Sequence, residues 1–357
     1  MNMTAATRRE DTVLITGGAG FIGTNLATRL VDAGRRVVVY DNLSRAGVEQ
    51  NLRWLRARCG ERLQFELGDT RDADALSRAV AAAATIFHFA AQAAVTTSVD
   101  APRADFEVNA GGTINLLEAI RAQPQPPTLV FASTSKVYGD LGAVELRASA
   151  TRYHACDARL RMYGLDESTP LDFRSPHGCS KGAADQYVLD YARSYDIPAV
   201  VLRLSCVYGP HQLGNEDQGW VAHFLLRALQ HATLTLHGDG RQVRDVLHVD
   251  DLVDALCLCS DHIARLAGRA FNIGGGPART VSLVELLELI AEDTGHLPRL
   301  ASGDRRAGDA RWYVSDTRAF SACTGWYPHV AVGEGIRRLH DWLAAYRSTP
   351  LAGAHAA

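Results

Sequence analysis

The chain has 357 residues, 47% of them hydrophobic, so it can bury a large core and whole-chain disorder is excluded. Its 37 Lys and Arg residues nearly balance its 40 Asp and Glu residues, which excludes nucleic acid or an anionic membrane as a partner attracted by overall charge. The seven cysteines lack paired metal-type spacing, which is typical of a protein of the reducing cytoplasm and predicts no metal site. We also expect neither a signal peptide nor a membrane-spanning segment.

The first half of the chain alternates β-rich runs with helical segments. The predicted strands are Val13–Thr16, Val37–Tyr40, Leu63–Leu67, Thr85–Phe89, Thr128–Ala132 and Ala199–Leu204. Apolar residues recur at helical spacing in the predicted helices Phe21–Asp32, Ala73–Ala82, Asp105–Arg121 and Ser180–Tyr195. This order predicts an α/β fold with a Rossmann-type doubly wound parallel sheet.

The alternation breaks after Pro210. From there the predicted helices are Gly219–Gln230, Asp250–Leu266, Val281–Thr294 and Gly333–Tyr346, joined by short strands. We therefore expect a dinucleotide-binding Rossmann domain over residues 12–210, to which the chain returns from its C-terminal part, and a smaller, mainly substrate-binding lobe over residues 211–347. Residues 1–11 and 348–357 are predicted to be flexible termini.

A glycine-rich loop follows the first predicted strand and opens the first predicted helix. Gly17 permits the tight turn, Gly20 lets the backbone approach a pyrophosphate, and Gly23 lets the helix pack against the strand. The N-terminus of the helix offers free N–H groups to the same anion. Together with the adjoining Phe21 and Ile22, the loop predicts a dinucleotide site.

Asp41 ends the second predicted strand, at roughly the 20-residue offset where a carboxylate binds the ribose hydroxyls of an adenosine. A carboxylate there repels a 2′-phosphate, so the sequence predicts NAD rather than NADP. Nearby Arg45 is the feature that leaves NADP open. Asn42 and Ser44 belong to the same cofactor-binding segment.

The ends of the next two predicted strands complete the expected cofactor site. Asp69 and Thr70, beyond the third strand, are expected to accept from the adenine amino group. Ala90, Ala91 and Gln92, beyond the fourth, are expected to lie beside the nicotinamide half.

Longer motifs resemble the extended short-chain dehydrogenase/reductases over residues 12–342, and within that family the nucleotide-sugar 2-epimerases most of all. The segments that carry the resemblance are Asp41–Arg45, Ser133–Asp140, Asp166–Thr169, Ser175–Tyr187, Asp217–Trp220 and Gly240–His248. The resemblance implies bound NAD, a nucleotide-sugar substrate and a homodimer built through a helix bundle.

The resemblance also implies a catalytic set of a Ser or Thr, a Tyr, and a Lys four residues after the Tyr. Thr134 and Lys181 match, and Lys181 would also reach the nicotinamide ribose, but His177 stands at the tyrosine position. Three interpretations stay open here: His177 is a working base, the base is another residue such as Lys136, or the substitution blunts catalysis. Neutral imidazole can accept a proton at pH 7, which slightly favours the interpretation in which His177 is a working base.

On the substrate side, the resemblance implies that Arg244 and Arg306 clamp the diphosphate, a task suited to the guanidinium fork. The remaining substrate-binding positions that it implies are Thr97, Cys206, Gln218, Gly219 and Trp220. Cys206 replaces the Asn of many relatives, and His211 replaces an expected Arg. These departures leave a nucleoside substrate open beside a nucleotide sugar.

The expected reaction oxidises a sugar carbon to a ketone and reduces it again. In an epimerase the ketone turns over between the two steps, here with inversion at C2; in a dehydratase a hydroxyl is expelled instead. Nucleotide-sugar dehydratases carry an Asp-Glu pair after the active Thr, whereas this chain has Ser135 and Lys136, which favours epimerisation. A dehydratase acting on a nucleotide sugar or nucleoside, and an NAD-binding protein with blunted catalysis, remain the alternatives.

Overall fold

The computed structural model describes residues 12–306 and 308–348. Its strands are β1 (Thr12–Thr16), β2 (Arg36–Asp41), β3 (Leu63–Leu67), β4 (Thr85–His88), β5 (Thr128–Thr134), β6 (Leu146–Ala148), β7 (Tyr153–Ala155), β8 (Ala199–Leu204), β9 (Cys206–Tyr208), β10 (Thr233–His237), β11 (Val243–His248), β12 (Ala270–Ile273), β13 (Thr280–Ser282), β14 (Arg299–Gly303) and β15 (Trp312–Tyr313). The expectation of flexible termini at 1–11 and 348–357 falls outside the described residues, apart from Ser348.

The helices surround these strands. In chain order they are α1 (Phe21–Asp32), α2 (Val48–Cys59), α3 (Ala73–Ala81), α4 (Val95–Asp100), α5 (Pro102–Phe106), α6 (Gly112–Arg121), α7 (Ala158–Tyr163), α8 (Pro176–Ser194), α9 (Trp220–Leu229), α10 (Val249–Asp261), α11 (Ile263–Leu266), α12 (Leu283–Thr294), α13 (Arg318–Thr324) and α14 (Val332–Ser348). Among residues 12–306 and 308–348, none of them is long and apolar enough to cross a membrane.

Seven parallel strands form the central sheet in the order β12-β8-β5-β4-β1-β2-β3. Helices α1, α2 and α10 cover one face with one apolar core, and α3, α6 and α8 cover the other face with a second. The predicted doubly wound Rossmann-type fold is therefore confirmed. The strand order reverses between β1 and β4, and ligands of such sheets bind at that point, beyond the carboxyl ends of the strands.

The smaller lobe is built on β10 paired with β14, and on β11 paired with β9, β13 and β15. Its own apolar core lies among α9, α12, α14 and β11. The chain leaves this lobe at β12, which pairs with β8 and extends the central sheet.

Several predicted boundaries were wrong. The helix predicted from Asp105 begins at Pro102 and contains a π-helical turn, Glu107–Gly111. The helix predicted from Ser180 begins one turn earlier, where the Ser175 side chain caps it by accepting from the Gly178 N–H at 3.0 Å. The helix predicted as Asp250–Leu266 is interrupted at His262, between α10 and α11.

Candidate active site

A cavity of about 500 Å³ opens beyond the carboxyl ends of β1 to β4. It brings together every residue assigned to the cofactor from the sequence except Lys181. These lining residues are Gly17, Gly20, Phe21, Ile22, Gly23, Asp41, Asn42, Ser44, Arg45, Asp69, Thr70, Ala90, Ala91 and Gln92. Segments far apart in the chain thus form one wall of a single site.

The glycine-rich loop has the geometry that a dinucleotide needs. Gly17 has a φ of +68°, and a Cβ there would lie 2.6 Å from the Ala90 nitrogen. A Cβ on Gly23 would lie 2.6 Å from the Gly18 Cα, so the loop packs against α1 only without side chains. Gly20 caps α1 without a side-chain hydrogen bond, which leaves the first N–H groups of the helix available to a pyrophosphate. The residues present therefore fit NAD.

Asp41 lines this cavity at the end of β2, where the sequence predicts the adenosine ribose. Its Oδ2 accepts from the Ala19 N–H at 3.0 Å and its Oδ1 from the Leu43 N–H at 2.9 Å. Burial raises the pKa of Asp41, against the effect of these two bonds. Each carboxylate oxygen can still accept a ribose hydroxyl, because it has more than one acceptor direction.

The carboxylate of Asp69 is bound by two neighbouring side chains. Its carboxylate pairs with Arg71 at 2.7 Å and accepts from Asn42 Nδ2 at 2.8 Å. The hydrogen bond from Arg71 is the largest influence and holds the pKa of Asp69 well below its ordinary value. A role for Asp69 and Thr70 in binding adenine stays a prediction.

We expect the purified protein to retain NAD. The substitution Asp41→Ala is expected to lower the NAD occupancy severalfold, because it removes the acceptors for the ribose hydroxyls and the hydrogen bond from the Ala19 N–H. The dinucleotide released on denaturation is identified and quantified by chromatography. Asp32→Ala is the matched control, since it removes only an exposed pair with Arg58. Predominant NADP, or unchanged occupancy in Asp41→Ala, would contradict the assignment.

His177 lies buried in the first turn of α8, behind the cavity wall at Gln92. Its Nδ1 is 3.1 Å from the Gln92 carbonyl oxygen, and its backbone N–H donates to Ser98 Oγ at 3.2 Å. Because a carbonyl oxygen can only accept, this contact places the proton on Nδ1 and leaves the Nε2 lone pair free. In that tautomer Nε2 is the nitrogen able to act as a general base.

Lys181 follows one turn later on α8. Its ammonium donates to the Ala132 carbonyl at 2.6 Å and lies 4.2 Å from the centroid of the Phe131 ring, away from the cavity lining. Burial lowers the pKa of Lys181 to about 8, against the opposing charges of Asp185 and Asp105. Its predicted contact with the nicotinamide ribose stays a prediction.

Thr134 ends β5, where its Oγ1 accepts from the Lys136 N–H at 3.2 Å and caps a short 3-10 turn over Ser135–Tyr138. The Lys136 ammonium does not stay free beside Thr134, because it pairs with Asp309 Oδ1 at 2.9 Å. This pairing weakens the interpretation in which Lys136 is the base. Ser135 is half-buried at the start of the turn.

A buried polar network that the sequence analysis missed connects Gln92 to α8. Asn109 Oδ1 accepts from the Gln92 N–H at 2.9 Å, and Asn109 Nδ2 lies 3.0 Å from both the Gln92 carbonyl oxygen and Ser180 Oγ. Ser180 also donates to Asp105. Asp105, Asn109 and Thr113 recur every four residues in a segment that is apolar apart from them and Glu107, and this polar stripe was the signal available in the sequence.

On the substrate side, Arg244 shares Asp309 with Lys136. Arg244 donates to Asp309 Oδ1 at 2.8 Å and to the Val243 carbonyl at 2.7 Å, and it also bonds the Ala310 carbonyl. Burial alone would raise the pKa of Asp309, but Arg244 and Lys136 together hold it well below its ordinary value. Three of the five N–H groups of Arg244 are therefore committed, and two remain for a phosphate.

The other predicted substrate residues lie on several elements. Arg306 is half-exposed and donates to the Glu216 carbonyl at 2.8 Å. Thr97 and Gln218 line the same cavity as the cofactor residues. Gly219 begins α9 with a φ of +74°, and Trp220 follows it. Burial raises the pKa of the Cys206 thiol, which lies beside Arg244 and bonds to Trp220.

His211 does not face these substrate-side residues. Its ring centroid lies 4.2 Å from that of Trp54 and 5.2 Å from that of Trp342, and its carbonyl accepts from Asn51 Nδ2 at 3.2 Å. Burial lowers its pKa to about 4. His211 therefore packs between α2 and α14. Its substitution for the expected Arg does not bear on which nucleotide the protein binds.

Replacing Arg244 with Ala is expected to raise KM at least about tenfold, because the lost charge-assisted bonds are worth about 1.5–3 kcal/mol. Arg306→Ala is expected to raise KM similarly, with less effect on the thermal midpoint, since its guanidinium is half-exposed. Steady-state kinetics and thermal unfolding of both variants provide the measurement. Arg265→Ala, on α11, is the control. An unchanged KM in both variants would indicate a substrate without phosphates.

A sequence profile described as the NAD dependent epimerase/dehydratase family matches residues 13–274. The chain belongs to this family. A CDP-paratose 2-epimerase from Salmonella typhi is 41% identical over 340 residues, which cover 93% of this chain and 99% of that protein. The family assignment made from the motifs, and the expected NAD-dependent enzyme, are thereby confirmed.

Solved structures of family members have the same fold. The Thermus thermophilus UDP-glucose 4-epimerase in complex with NAD is 33% identical, with a TM-score of 0.78 over 93% of this chain and 99% of that one. A dTDP-glucose 4,6-dehydratase from Streptomyces venezuelae, solved with NAD bound, is 29% identical, with a TM-score of 0.81 over 94% of this chain and 98% of that one. The fold therefore accommodates both chemistries.

Proposed function

We propose that this family member inverts C2 of a nucleotide-linked sugar, with His177 as the general base. The observation that carries the proposal is the contact between His177 Nδ1 and the carbonyl of Gln92, a residue of the cavity lining, which leaves Nε2 as the proton acceptor of the ring. The 41% identity to a CDP-paratose 2-epimerase supports the substrate class and the position of inversion.

Bound NAD would supply the hydride-accepting and hydride-donating chemistry for a sugar carbon. In the proposed reaction, His177 Nε2 removes the proton of the sugar hydroxyl during oxidation and returns it during reduction. Thr134, at the carboxyl end of β5, orients that hydroxyl. Lys181, one turn after His177 on α8, supplies positive charge. Arg244 and Arg306 hold the diphosphate, so that the sugar ring can turn over while the substrate stays bound.

The two residues after Thr134 favour epimerisation over dehydration. Elimination of a hydroxyl needs a proton donor for the leaving group and a base for the neighbouring C–H. Ser135 and Lys136 stand where dehydratases carry Asp-Glu, and the Lys136 ammonium is paired with Asp309 at 2.9 Å. The chain's own groups at this position thus support oxidation and re-reduction only.

The test is product analysis by mass spectrometry and NMR on a panel of nucleotide sugars, starting with CDP-paratose, and free nucleosides. We expect a product of unchanged mass with inverted C2. Loss of water would establish the dehydratase alternative. Tight NAD binding without turnover on any of the panel would establish a protein with blunted catalysis.

We further propose a cytoplasmic homodimer. All seven cysteines are free thiols, which supports a reducing compartment. Helices α4 and α5 pack against α8, and all three expose large apolar side chains: Val99, Phe106 and Tyr187. Exposed apolar groups on adjoining helices support pairing of two copies through a helix bundle.

Phe106→Glu is expected to shift the dimer toward monomer by at least about tenfold in dissociation constant, because a carboxylate would be buried without a partner at the interface. Light scattering coupled to size-exclusion chromatography measures the mass over a dilution series. Tyr327→Glu, an exposed aromatic outside α4, α5 and α8, is the control. A monomeric wild type would contradict the proposal, as would an unaltered Phe106→Glu dimer.

A further inference from the structure

We propose that the buried carboxylate of Asp105 is a positioning residue for His177: through Asn109 it keeps the Gln92 carbonyl against Nδ1–H, and from 3.8 Å its charge stabilises the imidazolium formed when Nε2 takes the substrate proton. This inference rests on the proposed function, since it takes His177 as the base. It assigns a task to a carboxylate that no other step uses. It also accounts for how imidazole can work at a position where relatives have phenol.

The geometry places Asp105 directly behind His177. Asp105 lies on α5 with no exposed surface, and its Oδ1 is 3.8 Å from His177 Nδ1. The same Oδ1 accepts from Asn109 Nδ2 at 3.1 Å, and Oδ2 accepts from Ser180 on α8. Because Asn109 also holds Gln92, one network orients both acceptors that face Nδ1.

The neighbouring positive charge favours a carboxylate there. On α8, the ammonium of Lys181 lies close enough to Asp105 for the carboxylate to raise its pKa against the larger effect of burial. On β4, burial first and the charge of Lys181 second lower the pKa of His88 to about 3. An imidazolium forming on His177 would be repelled by Lys181.

One further carboxylate and one guanidinium complete the charged surroundings. Asp185 on α8 is committed to Arg203 on β8 through two bonds of 3.0 Å, so it cannot serve His177. In the part of the chain that the structure describes, His177 is the one group in ion-pair contact with Asp105. As in a Ser-His-Asp triad, a buried carboxylate stabilises the imidazolium without itself taking the proton, but at 3.8 Å Asp105 acts through its charge, while the Gln92 carbonyl makes the hydrogen bond to Nδ1–H.

A double-mutant cycle tests the assignment. In the native background, Asp105→Asn is expected to lower kcat about ten- to a hundredfold with KM nearly unchanged. In a His177→Tyr background, the same Asp105→Asn change is expected to leave kcat unchanged or raise it, since a carboxylate disfavours a phenolate. Equal losses in both backgrounds would mean that Asp105 is merely structural, and the proposal would be overturned.

A second measurement does not depend on activity. Nitrogen-15 NMR of histidine-labelled protein is expected to show His177 protonated at Nδ1, and Asp105→Asn is expected to shift it toward a mixture of tautomers. An Nε2–H tautomer in the native protein would overturn the proposal even if His177→Tyr is inactive. Asp251→Asn is the control, since Asp251 is also buried but accepts from backbone N–H groups of His329 and Val330. It should cost stability and leave kcat unchanged.

The single variant His177→Phe separates this inference from the function beneath it. Unchanged kcat in His177→Phe would mean that the proposed base is wrong, and the Asp105 assignment would fall with it. A large loss in His177→Phe together with no loss in Asp105→Asn would keep the base and overturn only the role of Asp105.

Discussion

Replacing His177 with Phe is expected to lower kcat by about 10²–10⁴-fold, the usual contribution of a general base. The ring of Phe preserves most of the packing in the first turn of α8 but has no nitrogen to face Gln92 or the substrate. NAD should stay bound, because the residues that line the cofactor cavity lie on other segments. Single-turnover reduction of bound NAD on adding substrate measures the oxidation step directly.

His177→Tyr then distinguishes the interpretations of this position. A substantial gain in kcat would mean that histidine blunts an otherwise ordinary site. A loss would mean that the pocket, including the Gln92 carbonyl at 3.1 Å, suits imidazole in place of phenol. If His177→Phe costs almost nothing, the proton leaves through another group such as Thr134.

Lys181→Met is expected to lower kcat about 10²–10³-fold, the range seen when one preorganised electrostatic group is removed from a water-excluded site. Burial lowers the pKa of Lys181 to about 8, so the native ammonium loses its proton as pH rises through that value. The kcat of the native enzyme should therefore fall above about pH 8, and Lys181→Met should lack this falling limb. Lys181→Arg, which keeps the charge, should retain more activity than Met.

Stability provides an independent readout of the same group. The unfolded Lys has a pKa of about 10.4, above the folded value, so between about pH 8 and 10.4 the unfolded chain binds more protons. The contribution of Lys181 to the free energy of unfolding should thus increase with pH across that window. Urea denaturation at several pH values should show this increase in the native protein and not in Lys181→Met. Identical slopes would contradict the buried, pKa-shifted ammonium.

Much of the cofactor site could be predicted from the sequence because its signals are local. Gly17, Gly20 and Gly23 stand between a predicted strand and a predicted helix at spacings typical of a dinucleotide-binding turn, and Asp41 ends the adjoining strand. The strand and helix alternation specified the doubly wound sheet for the same reason. The placement of His177 and Lys181 one turn apart on one helix also follows from their spacing of four residues.

The helix ends were less predictable. Helix α5 begins at Pro102 and passes into the π-helical turn Glu107–Gly111, which changes the helical spacing of the residues that follow. Helix α2, Val48–Cys59, was not predicted, because its charged residues obscure the buried stripe of Leu52 and Leu55. Periodicity shows a helix clearly only when one face is buried and the other solvated.

Fold class, family and cofactor were all predictable from the amino-acid sequence, since each depends on residues close together in the chain. The surroundings of the candidate base and of the phosphate clamp emerge only in the folded molecule. Asp105, Gln92 and His177 meet because α5, the segment after β4 and α8 pack together. Lys136 and Arg244 share Asp309, which lies 173 residues after Lys136 in the chain. Such contacts depend on strand order and side-chain packing, which local periodicity does not encode.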